Sequence, residues 1–253
     1  MTVTKKANLV NTVAFADSVS AKLGDAIKLM PLAFVQNFEG EPAGSISVPT
    51  FKYIGDAEEM VEGTALDPVL LTQTSVDVEV VQAGKAVEIT DKAVKSAYGD
   101  PIGEAESQVV KAIASKVEKD MFTALATSTL KYTGKTAEGF DTKAYFGALE
   151  LFGEDQEDEH YIVVNPDQTG KIKTNINFGE GKLVDAPVIF SNRVAKTKAY
   201  LVKPEALGLY LAKDVEVEED RDILKKTSLI SGSELYATHL RDDSKVVAIT
   251  FGA

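Results

Sequence analysis

The chain has 253 residues, 44% of them hydrophobic, with 27 Lys and Arg against 39 Asp and Glu for a net charge of −12, and it contains neither Cys nor Trp. That length supports one large domain or two small ones with a core burying about 70–75% of the unfolded surface. The lack of cysteine excludes disulfides, cysteine-ligated zinc, iron–sulfur clusters and thiol nucleophiles, and the acidic balance argues against a surface that grips nucleic acid throughout, leaving only a local basic face.

At the N-terminus, Lys5 and Lys6 precede Ala7 to Ala16, and Ala14-Phe15-Ala16 has the outline of a leader cleavage site. Asn8 and Asn11 interrupt the apolar segment, while Leu9, Val13 and Ala16 recur at helical spacing, so the expected element is a short amphipathic arm that docks elsewhere. Leu29 to Phe38 is free of charge for only about ten residues, half of a bilayer span, so no membrane-spanning helix is expected. The loop-like Asn37 to Gly44 closes a segment read as an arm, residues 1–44, without a core of its own.

From Ser45 the pattern is extended. Ile46 and Val48 alternate with Ser45 and Ser47, parity flips at Pro49-Thr50, and Phe51 and Tyr53 alternate with Lys52. Proline inside a strand marks it as an edge strand. A second extended run from Val69 carries Val76, Val78 and Val80 on one face, and the two runs predict a long exposed hairpin, an edge that invites a neighbouring subunit. Val87 and Ile89 continue as strand, and Asp91 is expected to cap a short helix ending before Gly99.

Asp100-Pro101 opens the strongest predicted helix, about 25 residues long. Asp100 fits the N-cap, Pro101 the first turn, and Glu104 and Glu106 the positive end of the helix dipole. Ala105, Val109, Ile113, Val117, Met121 and Leu125 follow every fourth residue, a row that drifts about 40° per step and so wraps the helix, as a spine touching several partners would. After the polar Lys131 to Gly139 connection come a helix (Ala144 to Phe152), a strand (Tyr161 to Val164), a short helix after Asn165-Pro166-Asp167, and strands at Val188 to Phe190 and Tyr200 to Val202, a mixed α/β unit. Leu235 to Leu240 and Lys245 to Phe251 are expected to form an antiparallel hairpin around Arg241 to Ser244.

Candidate chemistry is thin. Gly134-Lys135-Thr136 lacks the earlier glycine of a phosphate loop and follows a helix, and Gly179-Glu180-Gly181 lacks the third glycine of a dinucleotide fingerprint. His160 ends the acidic run Glu154 to Glu159, which lacks calcium-loop spacing and reads as a solvated acidic loop; Asp214 to Asp222 reads as a charged surface strand and turn. His239, in a predicted strand, reads as a structural histidine. No Gly-x-Ser-x-Gly elbow is present, and no catalytic residue, cofactor or metal ligand is assigned.

The run from Ser45 to Leu66 (SISVPTFKYIGDAEEMVEGTAL), then Lys85 to Ile102 (KAVEITDKAVKSAYGDPI) and the long helix, resembles the major capsid protein of tailed bacteriophages. The resemblance is specific from about Ser45 to Leu125 and rests on element order beyond. It implies an α+β fold of the tailed-phage capsid type: N-terminal arm 1–44, extended β-hairpin loop 45–75, peripheral domain 76–139 and 213–253 with spine helix 100–126, and α/β axial domain 140–212. It further implies a structural protein, not an enzyme, that self-assembles into pentamers and hexamers of an icosahedral head in the virion. That head would enclose double-stranded DNA without sequence-specific binding or membrane attachment, and would be assembled in the host bacterial cytoplasm. A separate scaffolding protein and a portal are the expected partners, with too few residues before Ser45 for an N-terminal scaffolding segment. By resemblance, Ile46, Val48, Phe51, Lys52, Tyr53 and Ile54 of the loop and Leu9 and Val13 of the arm are candidate inter-subunit contacts. Some relatives crosslink a loop lysine to a neighbour's asparagine; Lys52 has no identifiable partner, and that chemistry is not transferred. An encapsulin-type nanocompartment shell of the same fold is the alternative.

Overall fold

The computed structural model describes residues 26–38, 44–51, 54–57, 59–60, 68–134, 139–170, 172, 178–179, 182–183 and 186–251. They form strands β1 (Ala33–Asn37), β2 (Ser45–Phe51), β3 (Gln73–Glu79), β4 (Val81–Thr90), β5 (Lys131–Thr133), β6 (Tyr161–Val164), β7 (Phe178–Gly179), β8 (Lys182–Leu183), β9 (Ala186–Phe190), β10 (Lys198–Val202), β11 (Leu207–Asp222), β12 (Thr227–Leu240) and β13 (Val246–Thr250). The helices are α1 (Asp91–Ser96), α2 (Pro101–Leu125) and α3 (Thr142–Leu149). Three sheets result: β1-β11-β12-β4, β5-β13-β10-β6-β9-β8-β7, and the separate pair β2-β3.

The spine helix is α2. Asp100 caps it, its carboxylate accepting from the Ile102 and Gly103 amides, and Pro101 occupies the first turn, where its missing N–H costs nothing. All six residues of the predicted stripe are buried, together with Val110, Ala114 and Phe122. The wrapping stripe meets both large sheets. One core cluster joins these residues, Ala105 excepted, to Leu207, Leu209 and Tyr236 of the four-stranded sheet and to Val163, Tyr200 and Val202 of the seven-stranded one. Burying each such side chain is worth about 1.5–3 kcal/mol, so α2 ties the two sheets into one unit.

The seven-stranded sheet is covered on both faces. Tyr200 and Val202 of β10 turn toward α2, while Ala199 and Leu201 turn toward a second cluster under α3 that includes Phe140, Tyr145, Phe152 and Ile249. Two-sided burial explains why β10 reads as a continuous apolar run rather than an alternation. The four-stranded sheet is likewise covered twice: Leu207 and Leu209 face α2, whereas Tyr210 and Ala237 face the root of the β2–β3 pair.

Three expectations need correction. Residues 26–38 are not arm: Ile27, Leu29 and Leu32 lie in the main core, and β1 pairs in parallel with β11, Ala33 opposite Leu207. The C-terminal hairpin does not form. β12 is already paired on both edges, by β11 and β4, so it has no edge to offer; a turn in which the Asp242 carboxylate accepts from the Ser244 amide sends β13 into the other sheet, between β10 and β5. β13 thus belongs to the seven-stranded sheet, whereas β11 and β12 belong to the four-stranded one. The cap of α1 is Thr90, whose hydroxyl accepts from the Ala93 amide, with Asp91 in the first turn.

Gly208 sets the close approach of two aromatic rings. It sits opposite His239 across the β11–β12 ladder, and a Cβ there would come within 2.7 Å of both the His239 and Tyr210 rings. His239 thus fills the space the glycine leaves, its ring stacked on Tyr210 at 5.4 Å. Gly208→Ala is expected to destabilise the chain by about 1–3 kcal/mol through overpacking, read as a lower urea midpoint with an unchanged slope.

Candidate assembly surface

The β2–β3 pair divides into an anchored root and a presented end. Near the root, Ile46 lies opposite Val78 in register, and one step outward Val48 lies opposite Val76. Ile46 (7% exposed), Val48 (8%) and Val78 pack with Tyr210 and Ala237, flanked by Phe38 and Val80. Pro49 is tolerated because β2 has no ladder on its other side. Burial fades along the hairpin: Val76, on the same face as Val48, is already 49% exposed. Among the described residues, the hairpin packs on its own subunit at its root.

Beyond that point the described apolar side chains are exposed. Ile54, Met60, Val69, Leu70 and Leu71 are all exposed, Leu70 by 81%. So many large apolar side chains exposed in one stretch of chain are unusual for a protein that stays alone in water. Of the expected contact residues, Ile54 belongs to this presented set. Ile46 and Val48 lie instead on the face that packs against Tyr210 and Ala237 of the same chain. The backbone of Phe51 is the last of β2, and Lys52, Tyr53, Leu9 and Val13 lie outside the described residues. Met60 and Leu71 are what the period-two reading missed; the signal was the unbroken Val69-Leu70-Leu71 run after Pro68 in otherwise polar sequence.

A second exposed apolar group sits at the far end of the four-stranded sheet. Ile223 and Leu224, in the turn between β11 and β12, are exposed, as is Tyr98 after α1. The turn and α1 are held together: the Arg221 guanidinium pairs with Asp91 at 2.8 Å, and the Asp91 amide donates to the Lys226 carbonyl. The leucine is thus presented by a fixed turn, with the Leu224 and Lys225 amides both donating to the Asp222 carboxylate.

Part of the acidic run is neutralised within the chain. Its residues form a short 3-10 segment, Glu150–Glu157, and the buried Lys203 ammonium reaches Asp158 at 2.9 Å and Asp155 at 3.8 Å while lying over the Phe152 ring. A lysine supplies the positive charge there. His160 is engaged with the Tyr145 hydroxyl and the Asp158 carbonyl, both at 2.8 Å. Among the described residues no three His, Asp or Glu side chains are grouped to hold a metal, and no helix is long and apolar enough to cross a membrane.

His239 is half-buried against Tyr210, and desolvation, then the nearby Arg241 charge, hold its pKa below the ordinary value. Between that lowered pKa and about 6.5 the unfolded chain binds a proton that the folded chain refuses, so stability is full above about pH 6.5 and falls as the pH drops through the window. A urea midpoint that declines from pH 7.5 to 5.5 more steeply in the parent than in His239→Gln is the expected result.

A family model described as phage capsid protein matches residues 73–249. The major capsid protein of Staphylococcus phage phiMR11 is 27% identical over 268 aligned positions, covering 99% of this chain and 97% of that protein. Among solved structures, the capsid of an empty GTA particle superposes with a TM-score of 0.72 at 14% identity, covering 90% of each chain. The virus-like particle from Pyrococcus furiosus superposes at 0.64 and 13%, covering 92% of this chain and 98% of that one. At these identities the structural matches establish the fold.

Proposed function

The chain belongs to the phage capsid protein family and is a structural protein of the virion, and from that premise we propose that its copies associate as pentamers and hexamers into an icosahedral head enclosing double-stranded DNA. The observation that carries the reading is the half-anchored hairpin: a root fixed by Tyr210 and Ala237, and an end whose Ile54, Met60, Val69, Leu70 and Leu71 are exposed among the described residues. A neighbouring copy covers them in a closed assembly, where one patch meets a different patch on the next copy and the rotation closes into a ring. In the proposed layout the hairpin is the extended loop, the four-stranded sheet with α2 is the peripheral domain, and the seven-stranded sheet, including β13, is the axial domain. The arm ends before Ile27, where the chain enters the core.

The mode of DNA enclosure is non-specific. A separate scaffolding protein and a portal complete the assembly, which proceeds in the bacterial cytoplasm. The alternative, a cellular nanocompartment shell, draws support from the fold shared with the Pyrococcus furiosus particle; the near full-length likeness to a phage major capsid protein favours the phage head.

The test is light scattering coupled to size-exclusion chromatography on the purified chain, alone and with the proteins encoded beside it, with negative-stain images of every peak. Rings of five or six copies, or closed shells, support the proposal; a chain that stays monomeric under all conditions removes it. Shells that close alone around a protein cargo and exclude DNA would favour the nanocompartment.

A further inference from the structure

The tip at the far end of the four-stranded sheet is basic in an acidic chain. The turn Asp222 to Lys226 and α1 together carry four lysines against two aspartates, where the whole chain has a net charge of −12. Both aspartates are engaged: Asp91 by the Arg221 guanidinium at 2.8 Å, and Asp222 by Lys225 at 3.7 Å and by the Leu224 and Lys225 amides. Lys92, Lys95 and Lys226 border one shallow cleft and have no ion-pair partner among the described residues. Lys226 also holds φ at 57°, the left-handed region where glycine is the least strained residue. The turn thus keeps a charged side chain where its own conformation favours none.

The same tip presents Tyr98, Ile223 and Leu224, the last 95% exposed. An acidic and apolar counterpart lies elsewhere in the chain. From Ile54 to Leu71 the sequence holds Asp56, Glu58, Glu59, Glu62 and Asp67 and no Lys or Arg, with Ile54, Met60, Val69, Leu70 and Leu71 exposed. The described apolar side chains of both regions are exposed in the single subunit, so they do not cover one another there. Two copies meeting tip to tip would set lysines against lysines, and two hairpin ends would set acids against acids; tip against hairpin end pairs opposite charges. A nucleic-acid backbone would match the lysines but leave Ile223 and Leu224 in water.

We propose that the tip of one subunit, α1 with the turn beside it, seats the hairpin end of another, Lys92, Lys95 and Lys226 facing its acidic 54–67 segment while Tyr98, Ile223 and Leu224 pack on its apolar side chains. This contact rests on the shell reading above and supplies the patch that the hairpin end meets. In it the apolar side chains give affinity, and the charges select the partner and its register. The tip is suited to the role because it is held before the partner arrives. The Arg221–Asp91 pair and the Asp91 amide, donating to the Lys226 carbonyl at 2.8 Å, fix α1 to the turn, so little ordering cost falls on that side. Tip and hairpin end are different surfaces, so each copy offers both and the contact repeats from copy to copy, as rings and lattices require.

The test is zero-length carbodiimide crosslinking, which joins Lys to Asp or Glu, on a mixture of heavy-nitrogen-labelled and unlabelled full-length chain under the conditions that give assembly. Mixed-isotope peptides joining Lys92, Lys95 or Lys226 to an acid of the 54–67 segment are expected; assemblies whose mixed-isotope crosslinks omit these pairs would overturn the contact. Lys92→Glu/Lys95→Glu and Glu58→Lys/Glu59→Lys are each expected to raise the concentration at which assembly begins by about tenfold, and the chain carrying all four changes to return to within about threefold of the parent. No recovery in that chain is the result a tip-to-tip contact gives, and it would also remove the proposal. Lys226→Gly is expected to weaken assembly severalfold with a melting temperature within about 2 °C of the parent, a split that a merely structural lysine does not produce. Tip variants that lose only bound nucleic acid, with assembly and crosslinks intact, would assign the lysines to a polyanion instead. Negative-stain images of the same preparations keep the two readings apart: closed shells without the crosslinks sink the contact alone, crosslinks in open oligomers sink the shell alone, and monomers throughout remove both.

Discussion

Leu70→Asp/Leu71→Asp is expected to abolish closed shells while leaving the subunit folded. Both side chains are exposed, so their replacement changes the stability of the isolated chain by less than about 0.5 kcal/mol. In the proposed contact each leucine leaves water, a gain of about 1.5–3 kcal/mol per side chain, and each aspartate would instead have a carboxylate desolvated. Loss of even 3 kcal/mol per contact weakens that contact by more than about a hundredfold, repeated at every position in the shell. The measurement is a pair: thermal unfolding within a degree or two of the parent, and electron micrographs free of shells at concentrations where the parent assembles. Shells at parental yield would show that the hairpin end is not an assembly contact.

Met121→Ala should have the largest effect on the subunit itself. Met121 is fully buried in α2, in the cluster shared by both large sheets, so the cavity cannot be filled by a shift of one sheet alone. The expected loss is about 2–5 kcal/mol, or about 5–15 °C in melting temperature for a chain of this size. Calorimetry of the unassembled chain checks it. A change under about 2 °C would mean that the sheets move independently around α2.

How much of this was legible in sequence depends on how local the determinant is. The cap of α2, its wrapping stripe and the proline-bearing edge strand are read correctly because Asp100, Pro101, Val117 and Pro49 act through neighbours within a few positions. The capsid family was legible from the Ser45 to Leu125 region, and a family match across residues 73–249 agrees with it. The orientation of Ile46 and Val48 was not, because alternation separates two faces without saying which is covered; that answer comes from Tyr210, far along the chain. The membership of β13 was hidden for a related reason. A strand after a turn looks like the second half of a hairpin, and only the full pairing of β12 by β4 forbids it.

The parallel pairing of β1 with β11 carries a consequence for the order in which the chain acquires its shape. Its partner strand lies about 170 positions downstream, and closing so long a loop is entropically costly and slow compared with local helix formation. During synthesis, Ile27, Leu29 and Leu32 leave the ribosome long before β11 exists, and their apolar surface waits uncovered until most of the chain has followed. Docking of this segment is thus one of the last folding events. Copies in which this segment is still undocked keep Ile27, Leu29 and Leu32 uncovered, and a slow refolding phase that exposes apolar surface is the expected signature.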